Sequence, residues 1–468
     1  MILINAQKHI KVKLWHLIII AALSVVARVI LLGDYIGHDD AYIYLRYAKN
    51  ISAGHGWSFN PGEPSYGTTS PLWTLILVFG NVLGFGAVNF GVLISLLALF
   101  FIPIIGYYLI SLFTGEDIKS FAYACSLATL PWIIRWSGTV METTLATFLA
   151  MLFVYLTYKY KKRPILSLIG GLMFLVRPEL VLVWLFSVIS KNLKNVILNV
   201  CYFLLPVIPW LIFACITFGQ ITPNTLIKAS APILHIGIKP LMQIGATFLV
   251  FLPAFVYILF VNYKDFLLSI RKYWRISLVV IALILYYVWR TNGLQSPARY
   301  MNFTYPLLAM FIFLPIKRVK QLLSALVILI ICYALISGFF IVPKIDMFQN
   351  GYRNAHILAA KWLSEHSAQD DKVFILLDIG IIGYYCDRYI IDWGGLATPY
   401  IPKNFKNVEN AVISTKPKFF VHTQRSSSWA ALRQYKRLNL IPMIEFFMPP
   451  TGVGVFEPKY TSIYKVEY

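Results

Sequence analysis

The chain has 468 residues, 59% of them hydrophobic and 13% charged, and its mean hydropathy is +0.69. A soluble domain of this length builds its core with far fewer apolar residues, so the composition excludes an ordinary water-soluble globule and points to lipid. A formal charge of +21 would suit a nucleic-acid binder, but the basic residues fall in short clusters between apolar runs and not along one soluble face, so no nucleic-acid partner is expected.

The first apolar run, Leu14 to Leu32, follows Lys8, Lys11 and Lys13 and has the length of about 20 residues that crosses a bilayer. No small-residue cleavage site follows it, so it reads as a membrane helix with a cytoplasmic N-terminus and not as a leader. Further candidate spans are 88–113, 120–136, 141–159, 164–176, 179–190, 196–217, 241–262, 276–290, 300–316 and 321–343, which makes about eleven. Alternate connections then lie inside, and with the N-terminal lysines these carry 17 basic residues. That excess supports a multi-pass protein of the inner or plasma membrane with its C-terminus outside. Two stretches read differently. The pair 164–176 and 179–190 is too short to cross singly and is interrupted by Arg177, Pro178 and Glu179, which suits a broken or re-entrant element lining a cavity. Residues 68–86 are apolar but Gly-rich and bounded by Pro, and read as a helix along the outer interface.

From about Gln349 the composition turns polar. Ala355 to Ser364 reads as helix, and Lys372 to Leu377, Arg388 to Asp392, Lys418 to His422 and Gly452 to Phe456 read as strands. The expected organisation is therefore a transmembrane domain, 1–348, with a first outer loop at 34–87, and a small extracytoplasmic α/β domain, 349–468. Cys125, Cys201, Cys215 and Cys332 lie in apolar stretches and Cys386 stands alone in the tail, so neither a disulfide framework nor a zinc set is visible.

The first outer loop holds Gly37-His38-Asp39-Asp40-Ala41-Tyr42, a helical pattern to Ala53, and Gly54-His55-Gly56-Trp57-Ser58-Phe59-Asn60-Pro61-Gly62-Glu63. In the helical stretch Ala41, Tyr44, Ala48 and Ile51 share one face and Arg46, Lys49 and Asn50 the other, so the helix is expected to lie flat at the lipid headgroups. Its N-terminus carries Asp39 and Asp40, where the dipole favours carboxylates and either acid can act as a cap. Neighbouring side chains diverge by about 100°, so the two acids are expected to divide roles: one a general base towards a substrate hydroxyl, the other a cap or a support for a cation. His38 and His55 add the option of a divalent cation near Asp39 and Asp40, although their spacing is no metal signature.

Further polar residues fall near the outer ends of spans: Glu142, Arg177, Glu179, Asn224, Lys228, Arg299 and Tyr300. Each alone reads more simply as an internal ion pair or interfacial anchor. Together they suggest a cavity open to the outer half of the bilayer, with acids at one end and cations elsewhere, as a lipid-linked phosphate and a hydroxyl acceptor require.

The text Asp39-Asp40-Ala41-Tyr42-Ile43, Gly54-His55-Gly56, Phe59-Asn60-Pro61-Gly62-Glu63, Ser70-Pro71-Leu72-Trp73, Met141-Glu142-Thr143, Arg177-Pro178-Glu179, Pro223-Asn224-Thr225, Asp378-Ile379-Gly380, Gly383-Tyr384 and Asp392 with Gly395-Leu396 resembles, in order over nearly the whole chain, membrane glycosyltransferases of the GT-C class. Within that class it is similar to the branch containing the mycobacterial terminal β-(1→2)-arabinofuranosyltransferase. The resemblance implies an inverting transfer of a sugar from a polyprenyl-phosphate donor to a glycan, lipid or protein of the cell envelope. It places the catalytic centre at Asp39, the first choice for base, and Asp40, its support. On charge and location, Arg177, Lys228 and Arg299 are the candidates to neutralise the leaving phosphate, and His38, Glu142, Glu179 and Asn224 to line the substrate. Pro64-Ser65-Tyr66-Gly67-Thr68-Thr69 departs from the relatives, which often carry an acid or Arg before the Gly-Tyr-Thr run, so arabinose is not inherited. The competing readings are a transporter or flippase of a lipid-linked substrate, against which the missing internal repeat counts, and a non-catalytic subunit docked through its tail.

Overall fold

The structure, a computed structural model, describes residues 11–160, 163–189, 192–224, 238–290, 296–425, 429–448 and 459–468. Among these, five helices are long and apolar enough to cross a membrane: Leu14–Leu32, Ala87–Thr114, Leu193–Phe218, Ile238–Lys272 and Val319–His366. Shorter apolar helices, Pro71–Val82, Thr143–Lys159, Pro164–Val176, Pro178–Val188, Trp274–Trp289 and Thr304–Phe313, pack with them. Large apolar side chains such as Ile30, Ile216, Phe260 and Phe339 stand exposed on the flanks, a surface that suits hydrocarbon and not water.

The eleven expected runs are therefore all helical, but several are broken. Residues 120–136 divide into Asp117–Ala128 and Pro131–Trp136, because Leu130 before the proline is turned out of the helical region. Pro178 does the same to Arg177, whose extended backbone (φ −151°, ψ 116°) separates the two short apolar helices as the sequence suggests. Ile238–Lys272 bends at Asn262, which leaves helical geometry and donates its side-chain amide to the carbonyl of Pro315 at 2.9 Å. Val319–His366 runs through π-type turns at Ser337–Ile341 and Phe348–Arg353, so the polar segment beginning near Gln349 starts inside a helix.

The tail carries a mixed five-stranded sheet. Numbering all strands in chain order, β1 (Ser58–Asn60) and β2 (Glu63–Pro64) form a small hairpin in the first loop, and β3 (Lys372–Ile375), β4 (Tyr389–Asp392), β5 (Phe419–Arg425), β6 (Asn439–Met448) and β7 (Lys459–Glu467) form the sheet in the order β4-β3-β5-β7-β6. β3 runs parallel to β4 and β5, while β7 pairs antiparallel with β5 and β6. Three of the expected strands are thus present, β6 and β7 were not foreseen, and 452–456 lies outside the described residues.

The first-loop helix, Asp39–Ser52, does not lie flat on lipid as expected. Its apolar face packs on Pro71–Val82, and its polar face is covered by the tail. Arg46 donates to the carbonyls of Phe59 (3.0 Å) and Arg388 (3.5 Å) and to the Asp387 carboxylate, which also pairs with Lys49 at 2.9 Å. Asn50 bonds the Ser58 and Phe59 carbonyls at 3.0 and 2.7 Å. Asn60 exchanges two hydrogen bonds with Ile390 of β4, at 2.8 and 2.9 Å. A sequence pattern distinguishes apolar from polar faces, but not lipid headgroups from a folded domain as the polar neighbour.

Candidate active site

Both acids of the first loop sit at the start of Asp39–Ser52, and they point to different partners. His38 precedes the helix in extended backbone (φ −85°, ψ −175°), and no side chain caps its first turn. Asp39 instead caps another helix. Its Oδ2 accepts the backbone N–H of Gly380 and its Oδ1 that of Ile381, both at 2.8 Å, in the first turn of Ile379–Cys386. Those N–H groups have no partner within their own helix, and a carboxylate is their strongest acceptor. Gly380 is required there, because a Cβ would collide with the Asp39 carbonyl oxygen and come within 2.8 Å of Oδ2. Asp378, which precedes this helix, has left-handed backbone (φ 62°). Burial, and then the nearby Asp378 carboxylate, raise the Asp39 pKa above the usual range, and burial raises that of Asp378 too. Asp39 is 9% exposed and belongs to the interface between first loop and tail.

Asp40 faces the other way. Its side chain is 50% exposed, and its Oδ2 lies 2.5 Å from Nη1 of Arg299, itself 12% exposed. Burial opposes ionisation of Asp40, but the Arg299 charge and hydrogen bond outweigh it and hold the carboxyl below its ordinary pKa. Asp40 is thus an ionised acceptor reachable from outside the protein. The Arg299 guanidinium also lies over the Tyr300 ring, 4.8 Å from its centre, while its buried Nε has no hydrogen-bond partner.

Glu142, Arg177 and Glu179 come together as a buried network. Arg177 bonds Glu142 Oε1 at 3.1 Å, Glu179 Oε1 at 2.7 Å and the Tyr287 hydroxyl at 3.2 Å, and the Tyr287 hydroxyl donates to Glu179. Two carboxylates already neutralise Arg177, which leaves it little charge to offer a phosphate. Glu142 Oε2 remains buried without a partner. Tyr44, one turn along from Asp40, places its hydroxyl 3.3 Å from Thr69 Oγ1.

The other expected residues divide. The His38 ring packs edge-on against Trp136 and Phe348, with centroids 5.2 and 4.8 Å away, and burial pushes its pKa down to about 3, so the imidazole is neutral at physiological pH. Asn224 is 5% exposed and ties its loop to the first loop and the tail: its backbone N–H donates to the Tyr66 carbonyl at 2.9 Å and its side-chain amide to the Leu396 carbonyl at 3.1 Å. Lys228 lies outside the described residues. No group of three or more His, Cys, Asp or Glu is gathered as a metal set among the described residues. With both Asp39 oxygens taken by backbone N–H groups and His38 turned onto aromatic rings, the residues around the acid pair do not fit a divalent cation.

The sequence reading missed Arg28. It projects from Leu14–Leu32 and is 2% exposed. Its guanidinium donates to the carbonyls of Ser137 (2.5 Å), Tyr35 (2.5 Å), Gly33 (3.2 Å) and Gly138 (3.2 Å). It thereby fixes the turn that leads to His38 against the loop that leads to Glu142. A lone Arg inside an apolar span was the available signal.

A family model described as a domain of unknown function, DUF8728, matches residues 346–464. No curated protein matches the chain. Two solved structures of ArnT from Cupriavidus metallidurans, one bound to undecaprenyl phosphate and one in the apo state, resemble it at 10% identity. Each alignment covers 96% of this chain and 98% of that one, with TM-scores of 0.61 and 0.65. The fold is ArnT-like. The likeness runs through both the helical part and the tail sheet, which agrees with the GT-C architecture that the sequence resemblance implies.

Proposed function

We propose that the chain is an inverting glycosyltransferase that moves a sugar from a polyprenyl-phosphate donor to a hydroxyl of a cell-envelope glycan, lipid or protein on the outer side of the membrane. The observation that carries this is Asp40: an ionised, half-exposed carboxylate paired with a buried arginine, in a fold like that of a protein captured with undecaprenyl phosphate.

The roles of the two acids exchange relative to the sequence-based expectation. Asp39 has both oxygens committed to the tail helix and acts as a positioning residue. Asp40 is the base. Its free oxygen accepts the acceptor's hydroxyl proton as the acceptor's own hydroxyl oxygen bonds to the anomeric carbon. The bond from that carbon to the phosphate oxygen breaks on the opposite face, and its electron pair leaves with the carrier phosphate. Arg299 keeps Asp40 ionised and offers positive charge to the phosphate. The unpartnered Arg299 Nε and Glu142 Oε2 are a donor and an acceptor of the kind that sugar hydroxyls satisfy. The departure at 64–69 keeps arabinose from being assigned.

The test is transfer by the purified full chain from undecaprenyl-phosphate sugars to envelope extracts. Product from at least one donor with the parent, and none with Asp40→Asn, is the expected result. Undiminished product from Asp40→Asn refutes the assignment.

A further inference from the structure

Two short turns rich in charge, Gly115-Glu116-Asp117-Ile118-Lys119 and Ile316-Lys317-Arg318-Val319, each join two helices, and a third basic stretch, Lys11 to Lys13, leads into Leu14–Leu32. The fold gathers all three. Leu17, Tyr107 and Ala124 pack on one another, which holds the starts of Leu14–Leu32 and Asp117–Ala128 against the later part of Ala87–Thr114. Ile316 and Leu322 are buried where Val319–His366 begins. Between these helix ends lies a cavity of about 380 Å³, within the size range of ligand pockets.

The cavity stands at the far end of a span from the acid pair. Leu14–Leu32 begins three residues after Lys11, which lines the cavity, and ends at the turn that leads to His38. Its 19 residues rise about 28 Å at 1.5 Å each, close to the roughly 30 Å of a hydrocarbon core. The lining therefore lies at the membrane face opposite Asp40. Trp15, 53% exposed, marks that interface, where indole rings collect. Leu14, Leu112 and Leu323, each within four residues of the lining, are also exposed and offer acyl chains an apolar surface.

The charges of the lining are unevenly matched. Lys119, 5% exposed, donates to Glu116 at 2.7 Å, and Asp117 accepts the Tyr107 hydroxyl at 2.9 Å. Lys317 pairs with Asp265 at 2.8 Å. Both acids of the lining are thus engaged within the protein. The exposed side chains of Lys11 and Arg318 have neither an ion pair nor a hydrogen bond among the described residues. Basic pockets between membrane helices recognise anionic headgroups by this combination of spare cations and an adjoining apolar surface.

We infer that this cavity binds the headgroup of an anionic phospholipid of the phosphatidylglycerol type, drawn from the leaflet opposite the acid pair, with Lys11 and Arg318 as the cations its phosphate meets. The site is separate from the transfer reaction and does not depend on it. A zwitterionic lipid such as phosphatidylethanolamine is disfavoured, because its ammonium enters beside the same cations. A free phosphate ester gains the charge contact but not the apolar one.

The test is lipid retention by the purified full chain, read by native mass spectrometry after exposure to equal amounts of phosphatidylglycerol and phosphatidylethanolamine. Each basic residue near an anionic headgroup is worth about fivefold in binding, so the parent is expected to prefer phosphatidylglycerol by roughly thirtyfold. Lys11→Gln and Arg318→Gln are each expected to lower the preference about fivefold and the double variant to abolish it. Because neither side chain has a partner to lose, both variants are expected to melt with the parent. Arg271→Gln and Lys272→Gln, exposed basic positions outside the lining, are expected to keep the parent's preference. Equal retention of the two lipids by the parent, or a preference that survives in the double variant, overturns the site. An equal loss in the Arg271 and Lys272 variants makes the effect a diffuse surface attraction and overturns it too. Displacement of phosphatidylglycerol by an equal concentration of glycerol 1-phosphate shows a site for free phosphate esters and overturns the lipid assignment.

Discussion

Asp39 and Asp40 are neighbours of one chemical type, and exchanging each for a neutral residue separates their duties. Asp39→Ala deletes the acceptor of two backbone N–H groups in the interface with Ile379–Cys386. Each buried donor left unpaired costs about 1–3 kcal/mol, so the sum is roughly 2–6 kcal/mol. Relief from burying a carboxylate beside Asp378 offsets part of this, and a net loss of about 2–4 kcal/mol remains. That is a large share of the roughly 5–15 kcal/mol that holds a folded domain. Asp40→Asn removes a half-exposed ion pair, which solvent screening reduces to about 0–1 kcal/mol. Its turnover, however, is expected to fall by roughly 10² to 10⁴ with the loss of a general base. Thermal unfolding of both variants in detergent, followed by sugar transfer at a temperature where both are folded, measures the two effects separately. Equal melting temperatures, or an Asp40→Asn variant that turns over like the parent, refute the division.

Other outcomes follow from the same geometry. Gly380→Ala drives a methyl group into the Asp39 backbone, so it is expected to lower stability by about 1–3 kcal/mol and to expose the tail to limited proteolysis; parent-like protease resistance contradicts the packing. Asp39 and Asp378 both have folded pKa values raised above the unfolded ones. Stability from their protonated forms is therefore complete below about pH 4 and is lost as pH rises through the folded values. Melting temperature is expected to decline over that window in the parent and less steeply in Asp378→Asn; identical slopes contradict the coupling. An enzymatic reporter fused after Tyr468 is expected to be active only outside the cytoplasm, and cytoplasmic activity reverses the proposed orientation.

The sequence revealed the helical membrane architecture because long apolar runs have few other uses. It also showed where Pro178 breaks a helix, because proline's steric effect on the preceding residue is local. The motif text was legible as a set but not as an arrangement. Phe59, Asn60, Asp378, Gly380, Gly383 and Leu396 prove to be where first loop and tail meet: Asn60 bonds Ile390, Gly380 admits Asp39, Gly383 yields to the Phe59 ring, and Leu396 sits against Gly67. Contacts between residues more than 300 positions apart leave no periodicity to read. For the same reason Asp39 looked like the base: a dipeptide of two acids gives no sign of which one a distant helix will claim. Arg177 looked available for phosphate until Glu142 and Glu179 were placed on either side of it. β6 was missed because Pro442 and the shift between Pro442 and Ile444 obscure the alternation of a regular strand.

The central claim is that this chain adds a sugar to a surface acceptor and that Asp40 is needed for the chemistry. Mass spectrometry of surface glycans from cells lacking the protein, restored with either the parent or Asp40→Asn at equal membrane abundance, tests it most directly. The expected result is a glycan species short by one sugar in the deletion, repaired by the parent and not by Asp40→Asn. Identical glycan masses in all three strains contradict the claim.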